Sequence, residues 1–320
     1  MTPSIKPMRN MRALLGFLLK AEVDQIFKQQ PFELPNGSSD PFDIWRASTE
    51  AVRRLSPTPT TPQISLLEDD KTIRAIKSRP TFARYYESVD DYQFALVPIN
   101  ALLAPQWVAD FDYIEELSRQ IEDVASLEDL LKFTMTEGQV TQPIVFGSQV
   151  IFNSIRADLH AEPIPFVREV APGEFEIVVR AVSRPNYVQV AAIGGRYLLT
   201  NGVHRVCALQ LRGHSSVPCV LRRVGRIEET GLNLQTTLFR PDLINGPRPA
   251  QVVDLLETRV ASTLKMRSMN QVLRVGIGVD VIRVPAMSTA PIDSKNEASE
   301  KLQKSAPFLP GPADRPAASI

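Results

Sequence analysis

Apolar residues along this chain alternate in some segments and recur every three or four positions in others. The predicted strands are 94–99, 175–179 and 217–224, and the predicted helices are 110–122 and 127–135. Paired apolar runs that flank a glycine-containing turn predict β-hairpins at 143–152 and 188–199. Because strands and helices follow one another without a regular repeat, we expect an α+β fold, with a mixed sheet and packed helices.

The N-terminal segment predicts an amphipathic helix, because Met8, Met11, Leu15, Leu18 and Ile26 fall on helical spacing. The apolar run within it is short and charged residues follow at once, so a targeting segment is not expected. No apolar run is long enough to span a bilayer, and no membrane association is expected.

Proline-rich stretches and changes of pattern indicate four parts of the chain. Residues 1–62 are expected to be a helical appendage with a Pro-rich linker, and 63–230 the main domain. Residues 231–285 are expected to add a β-hairpin, formed by 258–264 and 272–284. Residues 286–320 are rich in proline and poor in aromatic residues, which predicts a disordered tail.

The most patterned stretch predicts a strand, a tight turn and a helix. An apolar strand ends at Leu199, Asn201-Gly202 is typical of a turn, and Val203 to Arg212 predicts a helix that Gly213 terminates. His204 and Arg205 fall in the first helical turn, where a cation is unfavourable by a few tenths to about 1 kcal/mol unless an anion lies there. We therefore expect Arg205 to face an anion-binding pocket, with Gly202 allowing the backbone to approach the anion.

The charge distribution around this stretch leaves two interpretations open. No Asp or Glu occurs between Ile177 and Ile227, whereas eight arginines do. Such a segment suits phosphate binding. Equally, the arginines could pair with acids elsewhere, such as Asp110, Asp112 and Glu115-Glu116. A catalytic or metal-binding role for those acids is a weaker alternative to the acidic first turn of a solvated helix.

Composition narrows the range of functions. The chain has 320 residues, with 36 basic and 36 acidic side chains, so no overall charge indicates nucleic acid as a partner. Its two cysteines, Cys207 and Cys219, fit neither a disulfide framework nor a zinc pattern. We expect a reducing, cytoplasmic location and no metal site.

The strand–turn–helix segment from Leu198 to Leu221 resembles the ParB/sulfiredoxin-like superfamily. The resemblance rests on Asn201-Gly202-Val203-His204-Arg205-Val206-Cys207-Ala208, followed by Leu211-Arg212-Gly213 and Val217-Pro218. Upstream, Ala95–Ile99 and Ile114–Leu117 resemble the first strand and helix of that superfamily. Gly138 to Val145, with Gln142-Pro143 at its centre, resembles the entry to a further strand.

The resemblance implies a ParB N-terminal-like nucleotide-binding domain that binds phosphates at the turn. ParB proteins bind CTP there, sulfiredoxins use ATP, and some relatives are small-molecule kinases. The residues so implied here are Thr200, Asn201, Gly202, His204, Arg205 and Gln142. A nucleoside triphosphate with Mg²⁺ is the implied cofactor, and a nucleotide or phosphorylated small molecule is the implied partner.

The chain also departs from the superfamily pattern. Val203 stands where sulfiredoxins carry their reactive cysteine, so thiol chemistry is not expected. No helix-turn-helix pattern follows the module, and sequence-specific DNA binding is not expected. A long interval between Pro143 and Gly202 predicts an inserted hairpin over 156–184.

Three functions stay open from the sequence. One is a phosphate-binding switch or partner-binding module, with a protein partner at the N-terminal helix. The second is a phosphotransferase or hydrolase on the same fold. The third is a scaffold that has lost its ligand. Cys207 is expected to be a packing residue on the apolar face of its helix.

Overall fold

Helices and mixed β-sheets build the protein, which confirms the predicted α+β class. The computed structural model describes residues 8–29, 32–34, 40–57, 63–86, 92–137, 143–154, 159–161, 166–183, 185–230, 232, 238, 240–267 and 271–276. The expected tail at 286–320 lies outside these residues. None of the helices in the described ranges has the length and apolar character needed to cross a membrane.

Several of the helices begin at polar side-chain caps that the sequence provides. They are α1 (Lys20–Gln29), α2 (Pro41–Arg53), α3 (Lys71–Lys77), α4 (Pro80–Tyr86), α5 (Phe111–Ser118), α6 (Leu127–Thr134), α7 (Val203–Leu211) and α8 (Pro241–Ile244). Asp110 caps α5 by accepting from the Tyr113 amide, and Ser126 with Asp129 forms a capping box on α6. The helices predicted at 110–122 and 127–135 are thus confirmed with shorter bounds.

The strands fall into one large sheet and several smaller ones. They are β1 (Met8–Ala13), β2 (Phe32–Glu33), β3 (Ser65–Leu66), β4 (Tyr92–Pro98), β5 (Leu102–Leu103), β6 (Val108–Asp110), β7 (Met135–Thr136), β8 (Ile144–Phe146), β9 (Gln149–Ser154), β10 (Leu159–Ala161), β11 (Phe166–Ala171), β12 (Glu174–Val178), β13 (Ala181–Ser183), β14 (Asn186–Tyr187), β15 (Gln189–Ile193), β16 (Arg196–Asn201), β17 (Ser216–Arg223), β18 (Ser262–Arg267) and β19 (Gln271–Gly276).

The largest sheet has six strands in the order β3-β4-β17-β15-β16-β5. β17 is antiparallel to β4 and parallel to β15, and β15 and β16 form the hairpin predicted at 188–199. α7 follows β16 directly, as predicted, and packs against α5 and a 3-10 turn at Val252–Leu255. This arrangement places the strand–turn–helix segment inside the main core.

The N-terminal segment is not the single helix that its apolar spacing predicts. Met8–Ala13 is a strand, β1, and a helix begins only at Lys20. β1 pairs with β18 and with β6 in a four-stranded sheet of order β2-β18-β1-β6. Leu14 and Leu15 are fully buried in the main core, so this part of the chain is integrated into the fold.

The late β-hairpin predicted from 258–264 and 272–284 is also wrong. β18 pairs with β1 and β2, and β19 pairs with β9. Each strand thus pairs with an element far away in sequence rather than with the other.

The segment between β7 and β14 forms a set of hairpins that we call the β arm, residues 143–183. β8 and β9 form the predicted hairpin and join β19 in a three-stranded sheet. β10 pairs with β13 and β11 with β12, which places antiparallel strands in the insertion predicted over 156–184.

Candidate functional site

The turn between β16 and α7 depends on glycine for two reasons. Gly202 has φ 99° and ψ 23°, in the left-handed region that residues with a Cβ rarely adopt. A Cβ at this position would lie 2.8 Å from Cγ2 of Val188 and 3.2 Å from its Cα. The close approach that glycine permits is therefore to Val188, a residue of the same chain.

The two polar residues before the glycine bond to the same neighbouring segment. Asn201 Nδ2 donates to the Tyr187 carbonyl at 2.9 Å, and Thr200 Oγ1 donates to the Gln189 carbonyl at 3.2 Å. Thr200 is the extra residue of a β-bulge between β15 and β16. Both side chains thus satisfy backbone groups beside the turn.

Arg205 lies inside the protein and bridges two strands. Its side chain is buried, with the residue 5% exposed. Nη1 donates to the Thr134 carbonyl at 2.8 Å, to Thr136 Oγ1 at 3.3 Å and to the Asn186 carbonyl, and Nη2 donates to Asn186 Oδ1 at 2.8 Å. The expectation that Arg205 faces an open pocket is wrong, because its guanidinium is directed at the paired strands β7 and β14.

We call this arrangement the clasp. It comprises Thr200, Asn201, Gly202 and Arg205, together with the segments 134–136 and 186–189 that they contact. All four successive residues from 186 to 189 are contacted, Asn186 through both its carbonyl and Oδ1. Four of the residues that the sequence predicts for phosphate binding thus lie in the clasp, and the partners that the structure gives them belong to the chain itself.

His204 is held as a neutral hydrogen-bond acceptor. Its Nε2 accepts the backbone N–H of Asp110 at 3.1 Å, and its ring lies edge-on to Tyr113 with centroids 5.5 Å apart. Burial, together with the positive charges of Arg205 and Arg9, lowers the pKa of His204 to about 4. At neutral pH His204 is uncharged, so the expected pair of cations at this helix N-terminus is a single cation.

The acidic cluster near the start of α5 has structural partners. Asp110 accepts from Arg9 at 3.0 Å and caps α5, and Glu116 accepts from the same arginine at 2.8 Å. Asp112 accepts from the backbone and side-chain amides of Asn10. These carboxylates attach β1 to α5, and the arginines expected to pair with them are placed elsewhere.

The arginines of the acid-free segment are dispersed over the fold. Arg196 donates to the Gly246 carbonyl, Arg212 pairs with Asp123 at 2.8 Å, and Arg226 pairs with Glu229 at 3.2 Å. Each of these contacts lies in a different part of the chain. These three arginines therefore do not converge on the turn at Gly202.

Two other predicted features can be placed. Gln142 lies outside the described residues, and the adjacent Pro143 is exposed. Cys207 and Cys219 are fully buried, and burial raises the pKa of the Cys207 thiol to about 12. A protonated, buried thiol is a poor nucleophile, so Cys207 is a packing residue, as the sequence predicts.

A cavity that the sequence does not predict lies between α3 and α6. Its volume is about 360 Å³, and it is lined by Lys71, Thr72, Ala75, Ile76, Arg79, Glu128 and Lys132. Glu128 pairs with Lys132 at 3.0 Å and lies 3.8 Å from Lys71. Arg79 donates to the Met135 carbonyl at 2.6 Å and pairs with Glu137 at 3.3 Å. Three cations from two distant parts of the chain converge here, without a local motif in the sequence.

The β arm carries the largest set of exposed apolar side chains in a single insertion. Seven of them are more than half exposed: Ile144, Val145, Phe146, Val167, Val170, Phe175 and Ile177. A sequence signal for part of this surface exists, since residues 143–152 contain no charged side chain. The spacing of apolar residues along the sequence does not show that both faces of the β-arm strands are exposed to solvent.

The described residues contain no group of three His, Cys, Asp or Glu side chains close enough to hold a metal ion. Comparison of the chain with models of known families, with curated proteins and with solved structures finds no match.

Proposed function

We propose that this chain is a protein-binding scaffold of the ParB/sulfiredoxin-like type, in which the β arm binds a partner protein. The observation that carries the proposal is the set of seven apolar side chains on the arm that are more than half exposed. Soluble proteins rarely leave a large apolar patch in contact with water, and such patches typically mark sites of association.

The geometry of the β11–β12 hairpin supports this function. Val167 is paired with Ile177, and Phe175 is two residues before Ile177, so the three side chains share one face of the hairpin. On the opposite face, Arg168 pairs with Glu176 at 2.5 Å. An isolated two-stranded hairpin is at best marginally stable in water, and a partner on the apolar face would stabilise it.

The internal contacts of the clasp also support a scaffold function. Thr200, Asn201 and Arg205 donate to atoms of the chain, and Val188 occupies the space beside Gly202. These contacts fix the base from which the β arm extends, and they favour the scaffold over a phosphate switch at this turn.

Photo-crosslinking in the native cells tests this proposal. A photoreactive phenylalanine in place of Phe175 or Val145 should give covalent adducts of defined mass with a protein. The matched control replaces Val124, which is 90% exposed but lies outside the arm, and should give none. Absence of adducts at both arm positions, or equal adducts at Val124, would contradict the proposal.

Binding of a phosphorylated ligand is a second candidate function, favoured by the cationic cavity at Lys71, Arg79 and Lys132. A nucleoside triphosphate with Mg²⁺ has the charge to occupy it. At about 100 times its dissociation constant, such a ligand would stabilise the fold by about 2.7 kcal/mol, which a thermal-shift screen detects.

Two variants locate a ligand that the screen finds. Loss of its effect in Lys132→Gln, with Lys265→Gln as an exposed control outside the cavity, would place it between α3 and α6. Persistence of the effect in Lys132→Gln and loss in His204→Ala would place it at the turn instead. If no triphosphate raises the melting temperature in the screen, this second function is contradicted.

A further inference from the structure

One edge of the three-stranded sheet in the β arm has the features of a pairing surface. The sheet order is β19-β9-β8, and within the described residues no strand pairs with the outer edge of β8. The three residues of β8 are 61%, 71% and 75% exposed at Ile144, Val145 and Phe146. The main-chain groups along this edge are placed to bond with another strand.

The edge lacks the devices that commonly prevent strand association. Natural edge strands carry charges, bulges or internal prolines that oppose pairing with another chain. Here residues 143–152 carry no charge, the ladder from Ile144 to Phe146 has no bulge, and Pro143 lies just before the strand. β8 is therefore open to β-augmentation, in which an added strand extends the sheet.

The hairpin register fixes which groups point outward. Phe146 pairs with Gln149 across a two-residue turn, and Val145 pairs with Val150. In an antiparallel ladder, hydrogen-bonded and non-hydrogen-bonded pairs alternate, and the pair that closes a two-residue turn is hydrogen-bonded. The N–H and C=O of Val145 therefore point away from β9, toward the open edge.

We propose that two copies of this chain pair through β8, antiparallel, with the two-fold axis at Val145. The proposal rests on the proposed scaffold function and names the partner as a second copy. The two Val145 residues exchange both main-chain hydrogen bonds, and Ile144 of each copy faces Phe146 of the other. A continuous six-stranded sheet results.

The absence of charged side chains along β8 favours a second copy of the chain as its partner. In a two-fold interface each residue on the axis meets itself, so a charged residue there would face a like charge. Val145 and its neighbours in 143–152 are neutral, and the pairing has no such conflict.

The exposed area predicts a weak dimer. Burying an apolar side chain removes roughly 100 Å² from water, so the three side chains of β8 supply only part of the ~800 Å² per partner typical of stable complexes. We therefore expect dissociation in the micromolar range, as for transient interfaces.

Sedimentation of the purified full chain over a range of micromolar concentrations tests the pairing. The parent chain should pass from monomer to dimer, and Val145→Lys should raise the dissociation constant at least tenfold, since it places two lysines together at the axis. The control Val124→Lys, at a more exposed valine outside the arm, should leave dimerisation unchanged.

A mixture separates a register-specific effect from a folding defect. Val145→Lys mixed with Val145→Glu should dimerise again, because opposite charges then meet across the axis. Failure of this rescue, a dimer insensitive to Val145→Lys, or a chain that stays monomeric throughout would each overturn the inference. In the last case, photo-crosslinked adducts with a different protein would leave the scaffold function standing.

Discussion

Replacing Arg205 by alanine should destabilise the fold strongly, because the side chain is buried and holds two strands together. The change removes the donors to the carbonyls of Thr134 and Asn186, to Asn186 Oδ1 and to Thr136 Oγ1. The Thr134 carbonyl keeps the Val188 N–H as a donor and the Asn186 carbonyl keeps Thr136 Oγ1, but Asn186 Oδ1 loses its bond to the guanidinium and a cavity opens beside β7 and β14.

The expected loss can be worked from these contacts. A hydrogen bond to a charged group contributes about 1.5–3 kcal/mol, and contacts made by one side chain are not additive. Water that enters the cavity would donate hydrogen bonds to some of the acceptors that lose the guanidinium. Because the groups left behind are neutral, we expect a loss near the upper end of that range, about 3 kcal/mol, for Arg205→Ala. Arg205→Lys keeps the charge but not the planar fork, and should lose less.

Urea unfolding measures this loss from the shift of the midpoint at constant slope. The matched control is Arg222→Ala, because Arg222 belongs to the same acid-free segment but is exposed, with one hydrogen bond to the Glu229 carbonyl. A change within about 0.5 kcal/mol is expected for that control. An Arg205→Ala chain as stable as its parent, but unable to bind a triphosphate, would refute the reasoning and restore the phosphate contact predicted from the sequence.

Three further predictions follow from the same structure. Gly202→Ala should cost about 1–3 kcal/mol in urea unfolding, because of its positive φ and the approach to Val188, and Val188→Ala should recover part of that loss. His204 has a folded pKa of about 4, below the unfolded value of about 6.5, so the unfolded chain binds more protons between these values. The free energy of unfolding should therefore fall as the pH is lowered from about 6.5 toward 4, by at most about 1.4 kcal/mol per pH unit. Unfolding curves recorded at each pH should show a weaker pH dependence for His204→Gln. Cys207 and Cys219 should resist an aromatic disulfide reagent in the native chain and react fully in guanidinium; rapid reaction of the native chain would mean that the thiols are accessible.

Elements that depend on local pattern could be predicted from the sequence. Asp110 and Ser126 are N-caps that the sequence displays directly, and the turn at Gly194-Gly195 closes the hairpin of β15 and β16. The start of α7 at Val203 follows from the glycine before it. In each of these, residues close in sequence determine the structure.

Elements that depend on distant partners could not be predicted. Met8 and Met11 recur at helical spacing, but pairing of β1 with β18, some 250 residues away along the chain, determines a strand. β19 has strand character in the sequence, but nothing in the sequence shows that it pairs with β9 in the β arm.

The inward orientation of Arg205 could not be predicted from the sequence for a related reason. An amphipathic helix has one apolar stripe, and a cation beside that stripe is expected to face solvent. In α7, Val203 and every residue from Arg205 to Leu209 are buried, so the helix has no solvent face over that stretch. Solvent exposure returns only in the last turn of the helix, where Leu211 is 42% exposed.

A double-mutant cycle between Arg205 and Asn186 tests most directly whether the strand–turn–helix is a structural clasp. Arg205→Ala, Asn186→Ala and the double variant are unfolded in urea, with and without a nucleoside triphosphate and Mg²⁺. If the segment is a structural clasp, the coupling free energy between the two residues should be about 1–3 kcal/mol. This coupling should not change when the triphosphate is added. Additive losses, together with stabilisation of the parent by the triphosphate that Arg205→Ala abolishes, would contradict it.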